Sequence, residues 1–231
     1  MFVGTRNETT REEWVRKTLE TIPKGTRILD AGAGERRFRI SCSHLEYVAQ
    51  DFGAYNGCGD TKGLQTGYWD QEGLDILSDI TRIPEPDGSF GGILCTEVLE
   101  HLPDPLAAIR EFRRLLALGG FLILTAPFCS LTHFSPFHFY SGFNLYFYKH
   151  HLEQMGFRVL EIQSNGNYFE FLGQELRRLP SLAQKYSEER PRLYERAAIR
   201  ILLRMLQRLT KKNKGSEELL CFGYHVLARK M

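Results

Sequence analysis

In the stretch RILDAGAGERRF, an apolar run stops at Asp30, passes Gly32 and Gly34 with one residue between them, and enters a helical pattern. A glycine at the end of a strand lets the backbone approach a ligand where a Cβ would collide. The amides opening the next helix then point at an electron-rich group. A third glycine would complete a dinucleotide fingerprint by allowing close helix–strand packing beneath a pyrophosphate. Position 37, where it would stand, is arginine. The loop alone is a weak signal for a ligand, with a plain structural turn as the alternative. Its neighbours favour the ligand. Asp51 closes YVAQD, about twenty residues on, where an acid can accept from both ribose hydroxyls. Charged hydrogen bonds of that kind are worth roughly 1.5–3 kcal/mol each. Asp79, in LSDITRIPEPDGSF, can accept from an adenine amino group.

A second group of reactive side chains lies in APFCSLTHFSPFHFYSGFNLYFYKHH. This segment is crowded with Phe and Tyr and carries His133 and His138 around Pro136. A histidine near its ordinary pKa can act as a base toward a hydroxyl or an acidic carbon. Aromatic core with satisfied or exposed histidines is the plainer alternative. Tyr140 is a weaker partner, and His101, four residues after Glu97, shares a helical face with it. Cys129, His133 and His138 follow no common zinc spacing, so no metal is expected. Trp69, in the long segment before the third strand, is placed either to cover a cofactor or to pack.

These residues need a scaffold that brings strand ends together. Short apolar runs at 27–30, 47–51, 74–80, 90–96 and 120–126 read as strands, mostly without clean alternation, as in a parallel sheet covered by helices. Thr9 and Glu12 form a capping-box pattern for a first helix to about Glu20. DPLAAIREFRRLLALGG reads as a helix capped by Asp104, with Pro105 at its first position and Gly119 and Gly120 as its stop. A further helix ends at Gly156, and strands at 157–163 and 219–228 complete the pattern. The fold class is α/β: a Rossmann-like, mostly parallel seven-stranded sheet with helices on both faces. More than fifty residues of helical pattern, broken at Pro180 and Pro191, precede the last strand. The organisation expected is one domain over 1–231: an N-terminal helical arm 1–24, an α/β core 25–163, a helical insertion 164–218 and a final strand 219–231.

The ordered set ILDAGAGE, YVAQD, SDITRIPEPDGSF, CTEVLEHLPDP and LLALGGFLILTAP resembles class I S-adenosylmethionine-dependent methyltransferases, in particular the broad bacterial group with EHL after the fourth strand. The likeness covers about 25–130 and continues more weakly to Gln163. It implies a small-molecule methyltransferase whose cofactor is S-adenosyl-L-methionine. Gly32 and Gly34 would then approach the methionine part, and Asp30 would reach its amino group through water. Asp51 would hold the ribose, Asp79 and Ile80 would frame the adenine, and Thr96 and Glu97 would line the pocket near the sulfonium. The family often has a third glycine two residues after the second; here that position is Arg36, which could itself meet the methionine carboxylate. Catalysis on the acceptor side falls to His133 and His138, with transfer to oxygen of a small-molecule or lipid-linked acceptor, a sugar-bearing one included.

Composition narrows the setting. Apolar content of 42% and charged content of 25% describe an ordinary globular chain. No run is long enough to span a membrane, the first fourteen residues lack a signal-peptide core, and five scattered cysteines suit a reducing cytosol. The expectation is a cytoplasmic protein, with a membrane-peripheral position left open. Net charge is only +2, yet residues 190–214 alone carry +8, so the rest sums to about −6. In RLYERAAIRILLRMLQRL, Arg192, Arg196, Arg200, Arg204 and Arg208 advance in steps of about 40° and sweep one side of a helix. Ile201, Met205, Ala198, Leu209, Leu202, Leu206 and Ile199 fill the other, interrupted by Tyr194 and Glu195. Residues 191–213 can therefore pack on the body or a second copy, or meet an anionic membrane. Nucleic acid is disfavoured, because no RNA-binding module accompanies the stripe. An RNA methyltransferase and a catalytically silent cofactor-binding subunit are the rival functions.

Overall fold

The computed structural model describes residues 2–231. It divides into two compact units, one comprising Glu12–Gln163 with Gly223–Met231 and the other the residues up to Arg11 with Ser164–Phe222. In the first, strands β1 (Arg27–Ala31), β2 (Glu46–Asp51), β3 (Ile76–Leu77), β4 (Phe90–Thr96) and β5 (Leu116–Pro127) alternate with helical segments. Strands β6 (Phe157–Asn165) and β7 (Gly223–Lys230) follow, in the sheet order β3-β2-β1-β4-β5-β7-β6. The pairs β1–β2, β1–β4, β2–β3 and β4–β5 are parallel, and β7 runs antiparallel to β5. This is the mostly parallel, Rossmann-like seven-stranded sheet expected. Its chain order reverses direction at β1, so the C-terminal ends of β1, β2 and β4 open beside one another, where ligands bind in such sheets.

The first helix, α1 (Asn7–Glu20), begins two residues before Thr9, so Thr9 lies inside the first turn and does not cap it. Trp14, Val15 and Leu19 from α1 pack with Ile22, Ile28, Phe38, Leu94 and Ile123 in a core cluster that fixes the helix on the sheet. Helix α2 (Pro105–Leu115) starts as expected: the Asp104 carboxylate accepts from the Ala107 amide at 2.9 Å, with Pro105 at the first position. It stops earlier than Gly119, because LALGG joins β5 and Leu116 registers with Phe90. Sheet pairing of a buried leucine outweighs the helical preference of the segment. Strand β3 shrinks to two residues within the expected 74–80, and β7 starts at Gly223 instead of 219. Helix α3 (Leu145–Gln154) is capped by Asn144.

The second unit pairs α4 (Tyr168–Ser187) with α5 (Leu193–Thr210). Pro180 lies inside α4 without ending it. Its missing N–H leaves the carbonyl of half-buried Leu176, one turn earlier, without its helical donor. The N-terminal segment is stitched to these helices. Phe2 and Val3 amides donate to Gln207 Oε1 at 2.8 and 2.9 Å, the Gly4 amide donates to Glu170 at 2.7 Å, and Val3 is buried with Leu203 and Leu206. Among the described residues no helix is long and apolar enough to cross a membrane.

Candidate active site

The glycine loop is built as the sequence suggests. Gly32 and Gly34 have φ of +76° and +49°, conformations that side chains rarely adopt. A Cβ on Gly32 would meet Val98 at 2.5 Å, and one on Gly34 would meet Trp69 at 3.0 Å. Arg36, where the methyltransferase family often has its third glycine, also has a positive φ of 57°. The local backbone thus keeps the glycine conformation with an arginine in place, a strain of the kind that collects at functional sites. Arg36 reaches toward Asp70, 3.7 Å away.

The acids at the strand ends are tied to this loop. Asp51 Oδ2 accepts from the Gly34 amide at 2.9 Å and Oδ1 accepts from the Gly53 amide at 3.0 Å. A carboxylate has about four acceptor sites, so two remain for a diol. Asp30 is buried and accepts the Tyr47 hydroxyl at 2.6 Å. Burial pushes its carboxyl up to about 7; the nearby Asp51 charge adds to the rise and the Tyr47 hydroxyl opposes it. A cationic amino group placed beside Asp30 would offset that cost. Asp51 with capacity for a ribose, Asp30 in want of a cation and a loop with room for backbone approach fit S-adenosylmethionine.

Gln50, not singled out from the sequence, is fully buried beneath the loop. Its backbone carbonyl accepts from Gly32 and Ala33 at 2.9 Å, and its side-chain amide donates to Ser78 O at 2.7 Å. Its signal in the sequence is one polar residue inside an otherwise apolar strand. Asp79 lies just beyond β3, exposed, with Oδ1 accepting from the Thr81 amide and hydroxyl at 2.8 Å; Ile80 beside it is buried. Thr96 ends β4. Glu97 follows with φ of 54° and accepts the Thr125 hydroxyl at 2.9 Å.

On the other side, the loop after β5 folds onto the segment between β2 and β3. The Leu64 amide donates to Thr132 O, Phe134 to Leu64 O and Asp60 to Ser135 O, each at 3.0 Å. Trp69, Tyr55 and Phe134 form a ring cluster, with Trp69 and Phe134 5.2 Å apart at nearly right angles. Phe134 stacks on His101 at 5.0 Å, and His101 adjoins both His133 and His138. The two histidines found from the sequence therefore belong to a set of three, with fully buried Glu100 beside them. Cys129 is exposed and not part of the set. Tyr140 donates to Pro103 O at 3.2 Å. An unbroken wall of rings thus joins Gly34 to three imidazoles.

The comparisons agree with this layout. A family model described as a methyltransferase domain matches residues 5–179. The chain belongs to that family, with the class I, S-adenosylmethionine-dependent fold. A curated relative, the ubiquinone biosynthesis O-methyltransferase of Xanthomonas axonopodis pv. citri (strain 306), is 34% identical over 118 residues, covering 50% of this chain and 48% of its own length. The chain thus spans about half the length of the curated relatives it matches. A solved S-adenosylmethionine-dependent methyltransferase from Archaeoglobus fulgidus matches with a TM-score of 0.57 at 18% identity, over 97% of this chain and 94% of that one. Phosphoethanolamine N-methyltransferase 2 of Haemonchus contortus, solved with S-adenosyl-L-methionine, matches with a TM-score of 0.55 at 15% identity, over 96% of this chain and 52% of that one.

Proposed function

We propose that this enzyme methylates a hydroxyl oxygen of a small-molecule or lipid-linked acceptor, a sugar-bearing one included, with S-adenosylmethionine as donor. The observation that carries the reading is the ring wall that starts at the glycine loop and ends in the imidazoles of His101, His133 and His138. S-adenosylmethionine, when bound, supplies a methyl group activated by its sulfonium charge. Asp51, Asp30, Gly32 and Gly34 hold it, while Asp79 and Ile80 border the adenine and Thr96 and Glu97 the sulfonium. The acceptor hydroxyl must lose its proton as its oxygen takes the methyl group. His133 and His138 are the groups placed to draw that proton off. Alignment can contribute roughly 7–11 kcal/mol to such a transfer, and the rings of Trp69, Tyr55 and Phe134 exclude water and orient the acceptor. The curated relative's name, an O-methyltransferase of ubiquinone biosynthesis, supports oxygen as the target atom.

Helix α5 supports a lipid surface as the place where the acceptor is met. Its apolar half is only partly used: Leu203 and Leu206 are buried and Ile199 half-buried, whereas Leu193, Tyr194, Ile201, Leu202 and Met205 are exposed, Ile201 at 64%. They flank the arginine side. Glu195, the lone acid, caps the helix by accepting the Arg192 amide at 2.6 Å. Each basic residue near an anionic membrane is worth about 1 kcal/mol. The protein is expected to cosediment with vesicles containing phosphatidylglycerol and not with phosphatidylcholine alone. Arg200→Glu with Arg204→Glu should weaken that binding by about tenfold or more; unchanged binding would remove the membrane role.

The test of the reaction is transfer of labelled methyl from S-adenosylmethionine in a bacterial extract, with products partitioned between organic and aqueous phases. Label in the organic phase, or in a nuclease-resistant aqueous metabolite, is the expected result. Label lost on ribonuclease treatment would replace this reading with an RNA acceptor. No transfer, with donor binding confirmed, would favour a silent subunit. His133→Ala and His138→Ala should each cut turnover while leaving donor affinity unchanged.

A further inference from the structure

We infer that His101, His133 and His138 form a site for one divalent transition-metal ion of zinc-like preference, with Glu100 in its outer shell. The inference deepens the acceptor-side reading above and revises the expectation of no metal, which weighed Cys129, His133 and His138 and left His101 out. One ligand nitrogen from each of the three histidines lies within 4.8 Å of the others. His101 sits in the short turn Leu99–His101 after β4, and His133 and His138 come from the loop after β5, so the two segments converge only in the fold.

The hydrogen bonds choose the ligand atoms. His101 Nδ1 contacts Phe137 O at 2.5 Å and His133 Nδ1 contacts Leu131 O at 2.9 Å. A carbonyl only accepts, so each Nδ1 carries the proton and each Nε2 keeps its lone pair. This is the arrangement in which metal-bound histidines are held, with the second nitrogen donating to a backbone carbonyl. His101 Nε2 and His138 Nδ1 are buried without a hydrogen-bond partner. Glu100 Oε1 stands 3.7 Å from His101 Nε2 and 3.9 Å from His133 Nε2, placing negative charge where a cation would gain from it. The amides of Phe139 and Tyr140 donate to the Glu100 carbonyl at 3.0 and 3.1 Å, which pins the loop to the turn.

Tetrahedral nitrogen ligands about 2.0–2.1 Å from zinc stand about 3.4 Å apart, so nitrogens now within 4.8 Å of one another close by at most about 1.4 Å on binding. Three imidazoles leave the fourth position to water or to the acceptor hydroxyl, the open arrangement of catalytic zinc. A hydroxyl bound there ionises more easily, its proton passing to solvent while its oxygen stays on the ion. With the ion bound, His133 and His138 would act on the acceptor through it, in place of the direct proton removal proposed above.

The test uses the full chain, stripped of metal, without donor or acceptor, so that it stands apart from any failure of methyl transfer. Co²⁺ is titrated while its visible absorption is followed, and Zn²⁺ is then used to displace it. One ion per chain is expected, with His133→Ala and His138→Ala each weakening binding at least by the roughly 10–100-fold that loss of an outer-shell partner alone costs. Melting curves of both variants without metal should stay close to wild type, because His133 and His138 are only half-buried and lie in a loop outside the helices and strands. Should one variant fail to fold, the other carries the comparison. Absence of saturable binding would overturn the site. So would binding that both variants retain, or a thiolate-to-cobalt band placing the ion on Cys58 or Cys129.

Discussion

Asp51→Ala is expected to lower the affinity for S-adenosylmethionine by about 10²–10⁴-fold and to abolish methyl transfer at ordinary donor concentrations. The magnitude follows from the bonds removed. Two charge-assisted hydrogen bonds to a ribose diol, at roughly 1.5–3 kcal/mol each, account for that range by themselves. The apo protein loses something as well, since the same carboxylate receives the Gly34 and Gly53 amides and so ties the glycine loop to the end of β2. A modest fall in melting temperature should accompany the loss of binding. Asp51→Asn is the sharper variant. It keeps the size but turns one oxygen into a donor facing a backbone N–H, so it should bind the donor nearly as poorly as the alanine variant. Isothermal titration of both proteins decides the matter, and affinity within about threefold of wild type would exclude Asp51 from the ribose contact.

The ease with which Asp51 is found in the sequence contrasts with the grouping of His101 with His133, His138 and Glu100, which no local pattern shows. Asp51, like Asp30, closes a short apolar run, and in a parallel sheet every such run delivers its last residue to the same edge. Their convergence is thus a property of local pattern plus fold class. The imidazole set is different. His101 and His133 are brought within 4.7 Å, ring to ring, by a loop folding back on a turn across the end of the sheet. No spacing rule encodes that contact; only the side chains that pin it, Phe134 and the carbonyl of Phe137, do so. Strand limits were hidden for a related reason. Leu116 carries the composition of a helix end, but a place beside Phe90 in the sheet was open to it, and pairing decided. In α5 the periodicity gave the two faces correctly, yet how much of the apolar face is covered depends on its partners. Among the described residues, Val3, α4 and the ridge of Ile199, Leu203 and Leu206 make that core, which leaves the exposed band that the sequence could not distinguish from a packed one.

Asp30→Asn should separate stability from function at one atom. In the folded protein the Asp30 carboxyl titrates at about 7, raised from 3.8 chiefly by burial. Between those values the native state keeps a proton that the unfolded chain has released. This group's contribution to stability is therefore fully present below about pH 4 and is lost as pH rises through about 7. Above that, the ionised carboxylate is buried at a cost, opposed by the Tyr47 hydroxyl. Asparagine removes the charge and keeps an oxygen for Tyr47. Without cofactor, the variant should melt above wild type at pH 8, and the gap should close as pH falls toward 4. Donor binding should move the opposite way. Wild-type affinity should rise with pH through about 7, as Asp30 ionises and can meet the donor's cationic amino group. The variant binds more weakly, by about tenfold or more, with that pH dependence gone. Melting curves at pH 5, 7 and 8.5, with and without S-adenosylmethionine, read both effects in one experiment. An asparagine variant that kept the wild-type pH profile would place the titrating group elsewhere. A variant stabilised at pH 8 yet impaired in binding would show that the protein carries a buried charge at the end of β1 because the donor needs it there.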